Sequence, residues 1–99
     1  MDIDQDFVNT LTRLQGALGN ERGKLRVSDA LVLAGFDRPS FHRSRLVSRA
    51  MKALGWERRR YRIGGSLEYA YARGSLLERE VVLEVESADG QHVVKRREP

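Results

Sequence analysis

A change in the hydrophobic period at Gly55 constrains the fold more than any other feature of the sequence. Before Gly55, apolar residues recur every three or four positions, as they do on one face of an α-helix. After it, aromatic and β-branched residues alternate with polar ones, as they do in β-strands. The 99 residues are enough for one compact domain. The sequence therefore predicts an α+β domain with its helices in the first half.

The first predicted helix covers residues 3–18. A single apolar stripe runs along it at helical spacing and consists of Ile3, Phe7, Leu11, Leu14 and Leu18. Asp2 or Asp4 is placed to cap the first turn, where the positive end of the helix dipole favours carboxylates. We expect this helix to have a structural role.

Two shorter signals precede Gly55. Residues 24–27 are β-prone and predict a short strand. Ser28 then has the character of an N-cap, and Gly35 ends the helix that it begins. A tight turn leads to a second N-cap, Ser40, and the third helix covers residues 41–54.

The third helix has two opposed faces. Its apolar face consists of Leu46, Val47, Ala50, Met51 and Leu54. Its polar face consists of Arg45, Ser48, Arg49 and Lys52, extended toward the N-terminus by Arg43 and Ser44. The polar face holds no acidic residue, and Arg45 and Arg49 are a repulsive pair four positions apart. This arrangement indicates that an anion binds there.

A β-hairpin with a glycine-rich tip follows, formed by residues 56–63 and 67–73. A two-residue loop would place Arg60 opposite Tyr69, whereas a three-residue loop pairs Tyr61 with Tyr69. We favour the three-residue loop, because it brings apolar partners onto one face. It directs Arg58, Arg60 and Arg62 outward on the other face. The aromatic residues expected in the core are Trp56, Tyr61, Tyr69 and Tyr71.

The tail predicts a second hairpin. Residues 81–86 and 91–97 are joined by Asp89-Gly90, a two-residue turn signal, and this register pairs Val85 with Val94 and Glu84 with Lys95. A helix over residues 76–86 is the alternative. We expect residues 1–73 to form one domain and residues 74–99 to form an acidic extension packed on it.

The positive charge is concentrated in the middle of the chain. Residues 21–73 carry a net charge of +8, whereas residues 1–20 and 74–99 each carry −2. A small domain with this distribution is suited to binding a polyanion.

Several classes of function are excluded by composition. The chain has no cysteine and only two histidines, His42 and His92, so we expect no disulfide, no cofactor and no metal site. Its carboxylates cluster toward the two ends without forming a singled-out pair, so an enzyme is not expected. No apolar run approaches the roughly 20 residues that span a bilayer, and the N-terminus is acidic, unlike a signal peptide. We expect a cytoplasmic, nucleoid-associated protein without membrane contact.

The order of the elements resembles the winged helix-turn-helix family. Residues 27–35 resemble its positioning helix, residues 41–54 its recognition helix and residues 56–73 its wing. The run Leu54-Gly55-Trp56, the basic strand after it and the aromatic return strand are similar to winged-helix modules attached to primases and helicases of phages and mobile elements. The chain has no Gly-x-x-x-x-Gly-Lys-Ser/Thr loop, so nucleotide hydrolysis is not implied.

The resemblance implies that the third helix enters the major groove of double-stranded DNA, where arginine can donate two hydrogen bonds to guanine. The residues expected at base edges are Arg43, Ser44, Arg45 and Arg49, with Ser48 at a base or a phosphate. Those expected at phosphates near the helix ends are Arg38, Ser40, His42 and Lys52. The wing residues expected at phosphates or in the minor groove are Arg58, Arg60 and Arg62, with Lys24 and Arg26 behind them.

The expected function is noncovalent, sequence-specific binding of double-stranded DNA, by a transcription regulator or an accessory factor of replication or mobility. Two alternatives stay open. Winged helices also join proteins, in which case the acidic C-terminal hairpin is a contact surface for a larger complex or a homodimer seam. Structured RNA also attracts arginines.

Overall fold

A computed structural model describes residues 5–98 and has an α+β fold, as predicted. The helices are α1 (Gln5–Leu18), α2 (Val27–Leu33) and α3 (Phe41–Ala53). The strands are β1 (Gly23–Arg26), β2 (Glu57–Ile63), β3 (Ser66–Arg73), β4 (Val82–Ala88) and β5 (Gln91–Arg97). The predicted caps Asp2 and Asp4 and the start of the first helix at residue 3 lie outside the described residues. Within residues 5–98, no helix has the length and apolar character needed to cross a membrane.

All five strands belong to one mixed sheet, in the order β2-β3-β1-β4-β5. β1 runs parallel to β4 and every other neighbouring pair is antiparallel. The predicted C-terminal hairpin is confirmed, including the pairs Val85–Val94 and Glu84–Lys95. In place of the alternative helix there is only a short 3-10 turn, Glu78–Glu80. Because β4 is bonded to β1, the second hairpin extends the same sheet that carries the first.

The core lies between one face of the sheet and the three helices. Leu25, Tyr71 and Leu83 stand side by side on adjacent strands and are buried with Leu14 of α1 and Met51 of α3. Trp56 and Tyr71 are in this core, as predicted. The apolar face of α3 therefore holds the helix against the sheet and leaves its polar face toward solvent.

One of the two predicted N-caps is confirmed. The Ser40 hydroxyl accepts a hydrogen bond from the Arg43 backbone N–H at 3.1 Å and caps α3. The prediction for Ser28 is wrong, because β1 passes directly into α2. Arg26 occupies the cap position with extended backbone and makes no side-chain cap bond, and the helix begins at Val27.

The predicted three-residue register of the first hairpin is also wrong. Ile63 pairs with Ser66 and Arg60 with Tyr69, so the loop is the two-residue Gly64-Gly65. Both glycines have positive φ, +58° and +87°, as a type I′ turn requires, and the twist of this turn matches that of the strands it joins. The turn geometry, rather than the pairing of apolar side chains, determines the register.

Candidate nucleic-acid interface

The two faces of the sheet carry different residues. Cross-strand partners share a face and successive residues alternate, so the register assigns each side chain. Arg58 is opposite the core residue Tyr71, and therefore Arg58, Arg60 and Arg62 lie on the side of the sheet that carries the helices. Lys24 and Arg26 are opposite Ala72 and Ala70 and lie on the other side, which we call the outer face.

Ion pairs cover the outer face. Arg26 lies 3.3 Å from Glu68 and 3.8 Å from Glu84. In the second hairpin, Arg97 lies 2.7 Å from Glu84 and Lys95 lies 2.8 Å from Glu86. The predicted acidic surface of the C-terminal hairpin is therefore matched by neighbouring cations.

The sequence interpretation places Lys24 and Arg26 in one surface with the wing arginines, and the structure contradicts this. Arg26 is half-buried and paired with carboxylates, and the Lys24 ammonium lies over the Tyr61 ring, 5.6 Å from its centroid. Both side chains are on the opposite side of the sheet from Arg58. They do not contribute to the surface formed by α3 and the first hairpin.

The helix side of the sheet has the opposite character. Six exposed cations of α3 and β2 make no ion pair with any residue between 5 and 98. They are Arg45, Arg49, Lys52, Arg58, Arg60 and Arg62, and we call them the basic surface. Positive charge that no carboxylate offsets within the described chain is free to attract an external anion.

The basic surface is continuous across the junction of α3 and β2. Arg45 and Arg58 line one groove together with Ser44 and Ser48. Lys52 and Arg58 line a second groove on the other side of Ser48. Arg45 and Lys52 of the helix and Arg58 of the hairpin therefore line adjoining grooves, where one extended ligand can reach all three.

Two exposed aromatic rings lie within this surface. Phe41, at the start of α3, is 79% exposed and has the Arg45 guanidinium 5.6 Å from its centroid. Tyr69 is 56% exposed, with Arg58 at 4.9 Å and Arg60 at 5.7 Å. The prediction that Tyr61 and Tyr69 belong to the core is wrong. The helices cover Tyr71 but not the part of the hairpin nearer its tip, and Tyr61 lies on the outer face with Lys24 over its ring. The two-residue Gly64-Gly65 turn was the signal that places Tyr69 beside the arginines.

Residues at the N-terminal end of α3 stabilise the turn that precedes it. The Arg43 guanidinium donates to the backbone oxygen of Arg38 at 3.0 Å and lies over the Phe36 ring at 5.4 Å. Arg43 therefore lies on the side of α3 away from the groove of Arg45. His42 is exposed and 3.9 Å from Asp6 of α1.

The predicted site residues thus separate into groups. The structure brings together Ser44, Arg45, Ser48, Lys52, Arg58 and Arg60. Arg49 lies beside Arg45 but toward α1, with its guanidinium 4.7 Å from the centroid of the Phe7 ring, and Arg62 lies at the tip of the hairpin. Ser40 and Arg43 belong to the cap and turn, Arg38 and His42 lie near them, and Lys24 and Arg26 lie on the outer face. Phe41 and Tyr69 are the additions that sequence reasoning missed.

A buried tyrosine positions Ser48 at the centre of the surface. Burial raises the pKa of the Tyr71 hydroxyl, while its hydrogen bond with Ser48 and the charge of Arg58 act in the opposite direction. The neutral hydroxyl links the core to the polar face of α3, so Ser48 is held between the two grooves.

Within residues 5–98 there is no group of three or more His, Asp or Glu side chains that could hold a metal ion. Comparison with protein-family models, with curated proteins and with solved structures finds no match to the chain. The interpretation of the basic surface therefore rests on its own geometry and charge.

Proposed function

We propose that this protein binds double-stranded DNA noncovalently, as a winged helix-turn-helix domain. In this proposal α3 is the recognition helix and lies in the major groove, and the β2–β3 hairpin is the wing on the adjacent backbone or minor groove. The observation that carries the proposal is the basic surface, six cations of α3 and β2 that form no ion pair within residues 5–98. Regulation of transcription and an accessory role in replication or mobility both rely on binding of this kind.

The order of elements supports the assignment of the fold. A helix, a short strand, two helices and a hairpin follow one another, and β1 pairs with the return strand β3. This pairing places the hairpin beside α3. Arg45 of α3 and Arg58 of β2 line one groove, so we expect one duplex to contact helix and wing together.

The contrast between the two faces supports binding through the helix side. A solvated face mixes charges of both signs, as the outer face does with Arg26, Glu84 and Arg97. Among residues 5–98, no carboxylate forms an ion pair with a cation of the basic surface. Arginine is the preferred side chain for planar recognition of guanine and phosphate, and five of the six cations are arginines.

Titration of a labelled duplex with the purified chain over a range of salt concentrations tests the proposal. If about six basic groups neutralise phosphates, the logarithm of the affinity should fall with the logarithm of the salt concentration with a slope of about −5. Affinity that ignores ionic strength would contradict the proposal. Competition with duplex RNA of the same sequence tests the RNA alternative.

Two double variants with the same change of net charge make the test specific. Arg45→Gln/Arg60→Gln removes two cations of the basic surface, whereas Lys95→Gln/Arg97→Gln removes two paired cations of the outer face. We expect the first to weaken duplex binding at least tenfold and the second to change it by less than about threefold. Equal losses in the two variants would show that the protein attracts DNA only through its overall charge.

A protein-interaction module is the second candidate, and one observation favours it. Leu76 and Leu77 are adjacent and strongly exposed, and the turn that carries them is held by reciprocal bonds between Ser75 and Glu78, at 2.8 and 3.2 Å. Two adjacent, exposed apolar side chains on a turn that hydrogen bonds fix are suited to packing against another protein. The double variant Leu76→Ser/Leu77→Ser tests this role. If the variant still binds duplex DNA, the leucine pair is not part of the DNA-binding surface.

A further inference from the structure

The groove between the C-terminal half of α3 and the beginning of β2 has the composition of an anion site. It encloses about 520 Å³, and its walls include Ser48 and Lys52 from one side of α3 and Arg58 from β2. Trp56 and Tyr71 form the part of the wall nearest to the core.

The charge of the lining is positive. Lys52 and Arg58 make no ion pair within the described residues, as shown above. The carboxylate in the lining, Glu57, lies 3.1 Å from Arg79 and 3.1 Å from Arg59. The hydrogen bond from Arg79 holds the pKa of Glu57 below its usual range, so the carboxylate stays charged and engaged with these arginines. An anion entering the groove meets two free cations.

The neutral groups in the wall are mainly donors. The Trp56 side chain is 3% exposed, and its Nε1–H has no hydrogen-bond acceptor among the described residues. Indole N–H is a donor only, and leaving such a group buried and unpaired is unfavourable. The hydroxyls of Ser48 and Tyr71 are hydrogen-bonded to each other, which leaves one O–H of the pair as a further donor at the same wall. A ligand rich in acceptor oxygens matches this wall.

We propose that this groove binds a phosphate group, and that in the complex it holds one backbone phosphate of the DNA beside the recognition helix. The inference rests on the proposed function and adds the residues that fix the register of α3 on the duplex. Phosphate oxygens accept from Lys52 and Arg58 as charged donors, and from a hydroxyl of Ser48 or Tyr71, directly or through a bridging water. The phosphate then lies between helix and wing and orients both.

The chain offers a direct reporter, because Trp56 is its only tryptophan. Emission of Trp56 is followed while unlabelled duplex, or inorganic phosphate alone, is added to the full chain. Affinity for a labelled duplex is measured in parallel by anisotropy for the wild type, Lys52→Gln, Trp56→Phe and the control Lys95→Gln. Lys52 is exposed and Lys95 lies on the outer face, so both variants are expected to fold.

We expect duplex to change the Trp56 emission and Lys52→Gln to weaken duplex binding about tenfold, with the salt slope smaller in magnitude by about 1. Trp56→Phe should change the affinity by less than about twofold and leave the slope unchanged, because no charge is lost and the buried Nε1–H does not reach the ligand. Lys95→Gln should resemble the wild type.

The outcomes separate this inference from the proposed function. If duplex binds but the emission is constant, and Lys52→Gln behaves like Lys95→Gln, the groove does not hold phosphate while the proposed function stands. If no duplex binds, the proposed function fails and the phosphate titration decides. If inorganic phosphate causes a saturable change in Trp56 emission, and Lys52→Gln abolishes that change, the groove is a site for free phosphate. If phosphate does not change the emission, the inference is overturned.

Discussion

Arg60 and Tyr69 stand opposite each other in the β2–β3 ladder, and the Arg60 guanidinium lies 5.7 Å from the centroid of the exposed ring. Arg58 approaches the same ring from the diagonal position, at 4.9 Å. The Tyr69 ring therefore forms cation–π contacts with two guanidinium groups. Each such contact at an exposed site stabilises the arrangement by about 0.5–1 kcal/mol. The hairpin therefore presents its arginines in a partly ordered arrangement.

Replacement of Tyr69 should affect binding more than folding. We expect Tyr69→Ala to weaken duplex binding several-fold, because Arg58 and Arg60 lose the ring that orders them, while the free energy of unfolding changes by less than about 1 kcal/mol. Anisotropy with a labelled duplex and urea denaturation measure the two effects. Tyr69→Phe keeps the ring and is the control. A large loss of stability with unchanged affinity would mean that Tyr69 is a core residue after all.

The stripe on α3 should divide into base-reading and phosphate-binding residues. We expect Arg45→Ala and Arg49→Ala each to cost about 1–3 kcal/mol on the preferred site and less on other sequences, because specific base contacts are lost. Lys52→Ala should weaken binding to all sequences alike. Selection of bound sites from a random duplex pool, followed by titration of selected and scrambled duplexes, measures the difference. Uniform losses for all three variants would contradict recognition of bases by α3.

The two serines that the sequence marks as N-caps should differ in their effect on stability. Ser40→Ala removes the acceptor for the Arg43 N–H and should lower the free energy of unfolding by about 1 kcal/mol. Ser28→Ala removes no cap bond and should change it by less than about 0.5 kcal/mol. Urea denaturation of both variants under the same conditions decides. A larger loss for Ser28→Ala would place the start of α2 two residues later, at Asp29.

A half-buried carboxylate should make stability depend on pH. Burial raises the pKa of Asp29 and Glu84 raises it further, while Arg26 and a hydrogen bond from the Val85 N–H act in the opposite direction. The folded chain then binds this proton more tightly than the unfolded chain does. The contribution of Asp29 to stability falls as pH rises through the interval between its unfolded and folded pKa, and the cost persists at neutral pH.

Asp29→Asn removes this cost and keeps an oxygen for Val85. We expect the variant to be more stable than the wild type at pH 7 and the difference to shrink toward about pH 3, where Asp29 is protonated in both states. Urea denaturation at a series of pH values measures the difference. A variant that is less stable at pH 7 would show that the Asp29 charge is favourable in the folded state. Glu57 and Glu78 have lowered pKa values, so the stability that they contribute is lost as pH falls. This loss is the same in the wild type and in Asp29→Asn, and it cancels in the difference between them.

Local signals predicted the elements whose determinants lie close together in sequence. The helix at Phe41 begins where Ser40 caps it, and the second hairpin has the register that Asp89-Gly90 favours. The prediction of Ser28 as an N-cap is wrong because it requires a linker between β1 and α2. Arg26 still pairs with Ala70 in the sheet, so no linker is left before the helix begins at Val27.

The site was predicted less completely, for a related reason. The register of the first hairpin was assigned on the assumption that one of its faces is buried along its whole length. The helices cover Tyr71 but not Tyr69, so the two positive-φ glycines prevailed over apolar pairing. The positions of Lys24 and Arg26 follow from the place of β1 in the sheet, which pairs at long range and leaves no local signal in the sequence.

The unequal pairing of charge on the two sides of the sheet gives the molecule a permanent electric moment. A polyanion exerts a torque on such a body and turns the α3 side toward itself before the surfaces meet. At physiological ionic strength this orienting force extends only over about 8 Å, so it acts during the final approach and not across the cell. For the proposed complex with DNA, this torque turns the basic surface toward the duplex instead of leaving the orientation to rotational diffusion alone.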